Sequence, residues 1–341
     1  MSKLSAGKYW GMRRLADGAG RWKMIAIDQR GPLMTPIAQK RGVAQAPFAD
    51  LARVKSLVTR HLSPHATAML LDPNYAYGVC INEMPAHTGL CLALEHHVTR
   101  DQGGARLSDC IPDWSVEKIR RVGADAVKLL VWYRPDAPRA VVKQQQAFVR
   151  AIGQQCRAHD IVLLLELLVY PMASDAPGYL AAQRNRLVIQ SLRDFAAPEF
   201  GVDIYKLEPP ASVSGVPDPQ GAQAAGVQAL FDEMASHCPK PWVLLSAGAS
   251  AADFNNSLVY AYRAGASGYL CGRAIWQSAF ECFPDFDAMD RGLTTDSVRF
   301  VHAINELTDR LATPWTKHSA FVGSPSLSQA SENFCSQYQP G

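Results

Sequence analysis

Eight short, almost continuously apolar runs recur along this chain, and longer amphipathic stretches separate them. Apolar runs of roughly four to eight residues are typical of strands that are buried on both faces, as in parallel sheets. We predict strands at Met24–Asp28, Ala66–Asp72, Gly89–Glu95, Ala126–Trp132, Ile161–Leu168, Val202–Glu208, Trp242–Ala247 and Gly268–Gly272. The third is the least regular of the eight, because residues 78–99 follow no clear period.

The stretches between these runs have the apolar spacing of amphipathic helices. We predict helices at Phe48–Leu62, Val116–Val122, Pro138–His159, Gln183–Phe195 and Ala252–Ala264. Strand–helix alternation repeated about eight times predicts an α/β fold of the (β/α)8 TIM barrel type. An open, doubly wound sheet is the alternative, but the nucleotide-binding patterns GxGxxG and GxxxxGK[ST] that often accompany it do not occur in the expected places.

The chain length of 341 residues would permit two or three domains, but barrels often exceed about 250 residues as one unit. We therefore predict a single barrel over residues 1–317. Residues 318–341 are rich in Ser, Gln and Pro and lack periodicity, which predicts a polar C-terminal extension that is mobile or wraps the surface.

The charge balance limits the classes of partner. With 34 basic and 31 acidic residues the net charge is +3, which is too balanced for a dedicated nucleic-acid binder but compatible with anionic small molecules. No apolar stretch reaches the roughly 18 residues of a membrane span, and the first twenty residues lack the apolar core of a signal peptide. The eight cysteines form no CxxC pair. We expect a cytoplasmic protein that binds neither membrane nor nucleic acid, with association into a homo-oligomer through the barrel helices.

Charged residues interrupt several apolar runs near their carboxyl ends, where barrel enzymes carry their catalytic side chains. These residues are Asp28, Lys128, Glu166 and Lys206, with Glu208 two positions after Lys206. A single charged residue in an apolar strand is more often half of a buried ion pair than a catalytic group. Four such strands in one barrel would bring carboxylates and lysines together at its mouth, where they would balance one another and form an active site.

The last two predicted strands end in small residues and one arginine. Ser246 and Gly248 follow the seventh run, and Gly272 and Arg273 follow the eighth. Glycine allows backbone N–H groups to approach an oxyanion, and arginine adds a fork of donors, so this pair of strand ends is a candidate phosphate site. Each glycine taken alone could equally mark an ordinary turn.

The histidines do not have the spacing of a metal site. His61 and His65 are four residues apart, but Pro64 lies between them and disfavours a regular helix that presents both. His96 and His97 are adjacent and would point to opposite faces of a strand. The sequence therefore predicts exposed or capping histidines, no metal and no cofactor.

Six blocks of sequence, kept in order over roughly residues 10–317, resemble the class I tagatose-1,6-bisphosphate aldolase family, which also includes the sulfofructose-phosphate aldolases. The blocks are IAIDQRGPL (25–33), GADAVKLL (123–130), LELLVY (165–170), VDIYKLE (202–208), LSAGAS (245–250) and LCGRAIW (270–276). This chain departs from the family pattern at Glu208-Pro209-Pro210, in the proline-rich residues 209–219 and in the tail after Lys317.

The resemblance implies a role for each candidate residue. Lys206 would be the Schiff-base nucleophile, Glu166 the proton-transfer group and Lys128 a supporting lysine. Asp28 and Gln29 belong to the first-strand site block, Asp28 as a further catalytic residue and Gln29 as a substrate-binding one. The residues that would grip the phosphate of dihydroxyacetone phosphate are Ser246, Gly248, Gly272 and Arg273. Arg30 would bind the anionic group at the far end of the substrate.

The function implied by the resemblance is cleavage of a ketose 1,6-bisphosphate, such as tagatose 1,6-bisphosphate, to dihydroxyacetone phosphate and glyceraldehyde 3-phosphate. One alternative keeps the chemistry but changes the substrate to 6-deoxy-6-sulfofructose 1-phosphate, which gives dihydroxyacetone phosphate and sulfolactaldehyde. Another is a sugar-phosphate sensor without turnover. The set of Lys206, Glu166 and Lys128 argues against the sensor, because a binding protein needs no nucleophilic lysine.

Overall fold

The computed structural model describes residues 3–321, 325–327 and 330–339. Within them, eight parallel strands form a closed barrel in which each strand pairs with its neighbour in chain order and the last pairs with the first. The barrel strands, β1 to β8, are Trp22–Ala26, Ala68–Leu71, Gly89–Ala93, Ala126–Trp132, Val162–Leu168, Ile204–Leu207, Trp242–Leu244 and Gly268–Cys271. The predicted TIM barrel is confirmed, and the doubly wound sheet is not the fold.

All eight predicted strands are present, including the irregular third one. Four of the predicted ranges closed on an acidic residue, and each of these strands ends before it: β1 ends at Ala26 rather than Asp28, and β3 ends at Ala93 rather than Glu95. The polar residues therefore belong to the loops at the carboxyl end of the barrel. This is the end at which barrel enzymes carry their active sites.

Alternate residues of the strands point inward and fill the barrel, as the two-residue repeat of a strand requires. The buried interior residues contributed by the strands are Met24, Ala26, Ala68, Leu70, Cys91, Ala126, Val162, Leu164, Ile204, Val243 and Leu270. They form one apolar cluster with residues at the amino-terminal end of the barrel, among them Met12, Leu15 and Trp315. The lower part of the barrel is therefore a packed core, and polar side chains begin only above it.

Helices surround the barrel. The helices, α1 to α13 in chain order, are Ala6–Arg14, Gly31–Arg41, Phe48–Leu62, Gly78–Cys80, Val116–Arg121, Arg139–Ala158, Tyr179–Asp194, Ala224–Ser236, Ala251–Arg263, Arg273–Phe280, Phe286–Gly292, Val298–Leu311 and Phe334–Gln337. The five predicted helices correspond to α3, α5, α6, α7 and α9. Helix α5 has a side-chain cap at its start, because Ser115 Oγ accepts a hydrogen bond from Lys118 N.

The amino-terminal end of the barrel is closed by α1 and by aromatic residues. Met12 of α1 is fully buried beside Trp22. The rings of Trp22 and Trp315 are stacked, with centroids 6.3 Å apart, and Phe321 packs edge-on against Trp315. This floor leaves the carboxyl end as the place for a ligand.

The predicted C-terminal extension, residues 318–341, contacts the amino-terminal segment where the structure describes it. Ser326–Leu327 pairs in parallel with Lys3–Leu4. Further along, the hydroxyl of Tyr338 donates to Asp160 Oδ2 over 2.7 Å. The described part of the extension therefore lies against the floor of the barrel, and residues 322–324, 328–329 and 340–341 lie outside the described residues.

A hairpin between β3 and α5 was not predicted from the sequence. Arg100–Gln102 and Ala105–Leu107 pair antiparallel around Gly103 and Gly104, whose φ values are 65° and 80°. Two consecutive positive φ values are the requirement of a two-residue hairpin turn, and glycine meets it without strain. The Gly-Gly pair was therefore the available signal. The hairpin lies over the carboxyl ends of the strands that follow it, because Arg106 N donates to Tyr170 Oη over 2.8 Å just beyond β5.

Membrane insertion finds no support in the helices that the structure describes. None of these helices combines the length with the apolar character needed to cross a bilayer.

Candidate active site

The four ionisable residues that interrupt the apolar runs lie together at the carboxyl end of the barrel. Asp28 follows β1, and Lys128, Glu166 and Lys206 lie in β4, β5 and β6. All four are buried, with 2% to 6% of their surface exposed. The fold has therefore collected charges above an apolar core, where each charge needs a partner.

Lys128 is the centre of this cluster. Its Nζ lies 2.8 Å from Asp28 Oδ2 and 2.9 Å from Glu95 Oε1. A third carboxylate oxygen, Glu166 Oε2, lies 2.9 Å away. An ammonium group has three donors, so these contacts can use all of them. Lys128 is therefore held in place as a cation.

The pKa shifts agree with this arrangement. Burial opposes the charge on Lys128, but the nearby Asp28, Glu166 and Glu95 carboxylates outweigh burial and raise its pKa. Burial also opposes the Asp28 carboxylate, and the positive charges of Lys128 and Lys206 overcome it and lower the pKa of Asp28. The same two lysines lower the pKa of Glu166 against the effect of burial. Asp28 and Glu166 are therefore ionised near neutral pH.

Lys206 lies in a less crowded position than Lys128. Strand register places it directly beside Glu166, and its Nζ lies 3.0 Å from Glu166 Oε2, which is its single ion pair among the described residues. Its side chain also lines a cavity. An amine that can pass its proton to a neighbouring carboxylate and that faces open space can act as a nucleophile.

Glu95 is a member of the cluster that the sequence reasoning missed. Besides its contact with Lys128, its Oε2 accepts a hydrogen bond from Leu130 N over 3.0 Å. Its Oε1 is also held by Arg30 Nη2 at 2.8 Å. The signal was present, because Glu95 closes the third apolar run as Asp28 closes the first. The irregular sequence around that run concealed it.

Arg30, the predicted ligand of the far anionic group, is engaged within the protein. Nη1 donates to the backbone oxygen of Glu95 over 2.8 Å, and Nη2 pairs with the Glu95 carboxylate. Its Nε is buried and has no hydrogen-bond partner among the described residues. Both terminal nitrogens are therefore committed to Glu95, and Arg30 serves first to hold that carboxylate against Lys128.

The cavity above the cluster has a volume of about 220 Å³. Charged groups form its base, and Leu130, Trp132 and Leu168 form an apolar wall higher up. The three carboxylates of the base are matched by three cations. These are Asp28, Glu95 and Glu166 against Arg30, Lys128 and Lys206. The base is therefore electrically balanced, and an anionic ligand needs further cations.

Arg273 is one such cation. It is the first residue of α10, directly after β8, and it lines the same cavity without an ion pair to any described residue. Gly248 lies beside it, because an added Cβ would be 3.5 Å from Arg273 Nη2, and its φ of 82° favours glycine. Ser246 is buried and lies in the same loop, two residues after the end of β7. The four predicted phosphate residues thus follow the neighbouring strands β7 and β8.

Gly272 occupies a position that excludes any side chain. An added Cβ would lie 2.4 Å from the backbone oxygen of Ala26 and 2.9 Å from Gln29 Nε2. Glycine is therefore required for the close approach of β8 to β1. Gln29 Oε1 is buried and has no hydrogen-bond partner among the described residues. It is available as an acceptor for a ligand hydroxyl.

Glu208 does not join the lysine cluster, although it follows Lys206 by two residues. Its carboxylate accepts from Val169 N over 2.7 Å and pairs with Arg184 at 2.5 Å. Arg184 also donates to the backbone oxygens of Pro209 and Ala211. Burial raises the pKa of Glu208 despite the opposing effect of Arg184. Glu208 therefore fixes the loop after β6.

Among the histidines of the described residues, His97 lines the cavity above the lysine cluster. His61 Nε2 lies 2.7 Å from Asp290 Oδ1. The expectation that His96 and His97 point to opposite faces was wrong: β3 has already ended at Ala93, and the two rings lie with centroids 4.8 Å apart. Among the described residues no group of three or more potential ligands could hold a metal ion.

Taken together, these contacts give the site a defined chemical capacity. Lys206 can form a covalent bond to an electrophilic carbon, and Glu166 can accept and return protons beside it. Lys128 keeps a fixed positive charge next to Glu166, and Arg273 faces the cavity from the opposite wall of strands. The arrangement suits a carbonyl compound that carries an anionic group.

Sequence comparisons connect the chain to known proteins. The model of the DeoC/LacD family aldolases matches residues 23–278, which is more than half of the chain. Tagatose 1,6-diphosphate aldolase 2 of Streptococcus mutans is 32% identical over 324 residues, covering 92% of this chain and 98% of that protein. Tagatose 1,6-diphosphate aldolase of Listeria monocytogenes is 33% identical over 332 residues, covering 94% of this chain and 97% of that protein.

Solved structures share the barrel at much lower identity. An archaeal fructose 1,6-bisphosphate aldolase has a TM-score of 0.56 and 18% identity, with coverage of 88% of this chain and 98% of that chain. The fructose-bisphosphate aldolase of Plasmodium falciparum has a TM-score of 0.65 and 13% identity, with coverage of 92% and 98%. At sequence identities this low, the likeness to these structures shows a shared fold and nothing more.

Proposed function

This chain belongs to the DeoC/LacD family of aldolases and is an enzyme that cleaves carbon–carbon bonds, and from that premise we propose that it is a class I aldolase acting on a ketose 1,6-bisphosphate. Tagatose 1,6-bisphosphate is the substrate we propose first, because the relatives of Streptococcus mutans and Listeria monocytogenes are named for it. The products are dihydroxyacetone phosphate and glyceraldehyde 3-phosphate.

One observation carries the mechanism. Lys206 Nζ lies 3.0 Å from Glu166 Oε2 at the base of a cavity, and the neighbouring Lys128 is saturated by carboxylates. Both lysines line the cavity, but only Lys206 has donors to spare. We therefore assign the covalent bond to Lys206 and the proton transfers to Glu166.

The reaction begins when the free amine of Lys206 attacks C2 of the ketose. Glu166, which has taken a proton from the lysine, returns it to the carbinolamine hydroxyl, and that group leaves as water. The protonated iminium that remains withdraws electrons from the C3–C4 bond. Glu166 accepts the proton of the C4 hydroxyl, the C3–C4 bond breaks, and the aldehyde leaves. The electron pair moves into the iminium and gives an enamine on Lys206. Protonation at C3 and hydrolysis of the iminium then release dihydroxyacetone phosphate and restore the amine.

The remaining candidates position the substrate in this proposal. Arg273 and the backbone at Gly248 bind the C1 phosphate, because charge-assisted donors and exposed N–H groups suit a phosphate. Gln29 Oε1, which has no partner among the described protein groups, accepts a hydrogen bond from a substrate hydroxyl. Asp28 keeps Lys128 charged, and Lys128 in turn stabilises the carboxylate of Glu166.

Borohydride trapping tests the covalent step. We expect sodium borohydride together with dihydroxyacetone phosphate to inactivate the enzyme irreversibly and to add the reduced triose phosphate to the peptide that contains Lys206. Borohydride alone is the control and should leave the activity in place. Activity should also survive EDTA. A label on any other lysine, or loss of activity on chelation, contradicts the mechanism.

A substrate panel tests the assignment of the sugar. Release of dihydroxyacetone phosphate is measured from tagatose 1,6-bisphosphate, fructose 1,6-bisphosphate and 6-deoxy-6-sulfofructose 1-phosphate. We expect the largest kcat/KM with a bisphosphate. A larger value with the sulfonated sugar would assign the enzyme to sulfosugar cleavage instead. Tight binding of these sugars without any product would identify a sensor and end the proposal.

We also propose a cytoplasmic location and a homo-oligomeric state. All eight cysteines lie in the described residues and are free thiols, which is typical of a reducing compartment. Fractionation of cells that express the protein tests the location. Light scattering of the purified enzyme tests the association.

A further inference from the structure

The substrate of the proposed reaction carries an anion at each end, but the base of the cavity offers a free cation at one end only. Arg273 is available after β8. Arg30, Lys128 and Lys206 are paired with carboxylates. The second anion therefore needs a cation from elsewhere in the molecule.

Arg106 of the hairpin supplies this cation. Its guanidinium carbon lies 4.5 Å from the centre of the Trp132 ring and 4.8 Å from the centre of the Tyr170 ring. The planes of the two rings are nearly perpendicular, at 85°, so the guanidinium lies in the corner between them. None of its side-chain N–H groups donates a hydrogen bond to a described residue. No carboxylate of the described residues pairs with it. Trp132 lines the cavity and Arg106 contacts its ring, so Arg106 lies next to the cavity, behind the residues that line it.

The position of Arg106 is fixed by the backbone around it. Its N–H donates to Tyr170 Oη over 2.8 Å, and its carbonyl oxygen accepts from Gln145 Nε2 at 3.3 Å. Gln145 is buried and also donates to the backbone oxygen of Trp132 over 2.8 Å. One buried amide thus links the hairpin to the strand on which the guanidinium rests. A group held in this way loses little freedom when it binds a ligand.

The geometry of the barrel places Arg106 above Lys206, on the side of the mouth opposite Arg273. Glu166 is in register with both Lys206 and Leu130, and Trp132 lies two residues beyond Leu130, about 7 Å further toward the carboxyl end. That rise is comparable with the length of an extended sugar chain from C2 to a substituent on C6. In the closed order of strands, β4 lies four positions from β8, so Trp132 faces Arg273 across the mouth.

We propose that Arg106, held in the corner between the rings of Trp132 and Tyr170, binds the anionic group at C6 of the substrate and makes the enzyme selective for ketoses with two anionic ends. This inference rests on the proposed aldolase reaction and replaces Arg30 as the residue for the far anion. A substrate attached to Lys206 at C2 then spans the mouth from Arg273 to Arg106. Arg106 contributes to binding, and the chemistry at C3–C4 is left to Lys206 and Glu166.

The test measures kcat/KM of the Arg106→Ala variant for two substrates, one with an anionic group at C6 and one without. A charge-assisted hydrogen bond is worth enough that its loss should lower kcat/KM for tagatose 1,6-bisphosphate by about 10- to 100-fold, mainly through KM. For tagatose 1-phosphate, which has no C6 anion, kcat/KM should stay within about twofold. Arg106→Lys should keep part of the preference, because it retains the charge but loses the planar fork.

Arg100→Ala is the matched control. Arg100 lies in the same hairpin but is exposed and pairs with Asp109 at 3.1 Å. Its removal changes the net charge equally and should leave both substrates unaffected. An equal loss on the two substrates with Arg106→Ala, an unchanged preference for the bisphosphate, or the same effect from Arg100→Ala would each overturn the proposal.

Two further measurements separate this proposal from the proposed function. Dihydroxyacetone phosphate has no distal anion, so borohydride trapping at Lys206 should proceed at the same rate in Arg106→Ala as in the unmodified enzyme. Calorimetric binding of the two sugars to Lys206→Ala, with and without Arg106→Ala, reports on Arg106 without any turnover. Failed trapping therefore rejects the Schiff base, whereas an unchanged binding ratio rejects the role of Arg106.

Discussion

Two buried lysines in this barrel, Lys55 and Lys206, have similar burial and opposite uses. Lys55 Nζ donates to Asp72 Oδ2 at 2.6 Å and to the backbone oxygens of Ile27 and Gln29 at 2.6 and 2.8 Å. Lys55 and Asp72 are completely buried. Burial lowers the pKa of Lys55, although Asp72 partly offsets it. All three donors of the group are used, so it cannot bind anything more.

Lys206 differs in its surroundings rather than in its depth. It has Glu166 as its one ion-pair partner among the described residues, and open space lies before it. The comparison shows that burial and a charged partner do not make a nucleophile. A nucleophilic lysine also needs N–H donors that are not already used and access to a cavity. Lys55 instead ties down the carbonyls on either side of Asp28, so its role is to hold a site residue in place.

Replacing Lys206 gives the largest expected effect. Lys206→Ala should reduce the release of dihydroxyacetone phosphate by at least about 10⁵-fold, because the covalent route supplies most of an enzyme's acceleration of about 10⁶-fold or more. Peptide mapping after trapping should find no adduct on Lys55 in any variant. Residual turnover close to the original rate would remove the distinction between the two lysines.

The second largest effect on activity is expected from Glu166→Gln. The amide keeps the shape of the side chain but cannot accept the C4 hydroxyl proton, so cleavage should slow by about 10²–10⁴-fold. The borohydride adduct with dihydroxyacetone phosphate should still form, since Lys206 remains. Single-turnover kinetics together with trapping measures the two steps separately. A variant that cleaves at full rate would show that another group moves the proton.

Lys55→Met tests the structural half of the comparison. Removing one partner of a buried pair leaves the Asp72 charge uncompensated, and we expect the free energy of unfolding in urea to fall by about 3–5 kcal/mol. The further change Asp72→Asn should recover part of this loss, because it removes the unpaired charge. The double variant should still be trapped at Lys206. A variant of full stability would mean that the pair is not needed to hold the loop after β1.

The smallest expected effect concerns pH. The pKa of Asp28 is lowered in the folded protein, so its ionised form adds stability above the pKa of an unfolded aspartate, about 3.9, and that stability is lost as the pH falls further. The difference in unfolding free energy between the unmodified enzyme and Asp28→Asn should be constant from pH 7 to 5. Below pH 4 it should shrink by about 1.4 kcal/mol for each pH unit. Parallel curves over the whole range would contradict the ion pair with Lys128.

The barrel and most of its site were predictable because their signals are local. A strand buried on both faces needs a continuous apolar run, and the eight runs supplied it. Asp28, Lys128, Glu166 and Lys206 stood out because a charge is rare in such a run. Glu95 carried the same signal, but the irregular sequence before it hid the pattern.

Other features depend on contacts that no local pattern contains. Arg30 lies in one of the six blocks that resemble the aldolase family and Arg106 lies in none, so the sequence pointed to Arg30. The fold pairs Arg30 with Glu95 and leaves Arg106 against the ring of Trp132, next to the cavity. The prediction that placed the far anion at Arg30 could not weigh this difference. The position of Arg106 depends on the hairpin, and the only signal of this hairpin in the sequence was Gly103-Gly104.

The sequence by itself determined which residue types stand at the ends of the strands, and with the two-residue repeat it determined that they face inward. Tertiary structure alone decided which amine meets which carboxylate, because Lys128 and Asp28 are 100 residues apart and come within 2.8 Å only when the barrel closes in register. Whether a buried lysine is saturated or free follows from that register. An ion pair is a matter of a few ångströms between distant segments, and a linear pattern does not contain that distance.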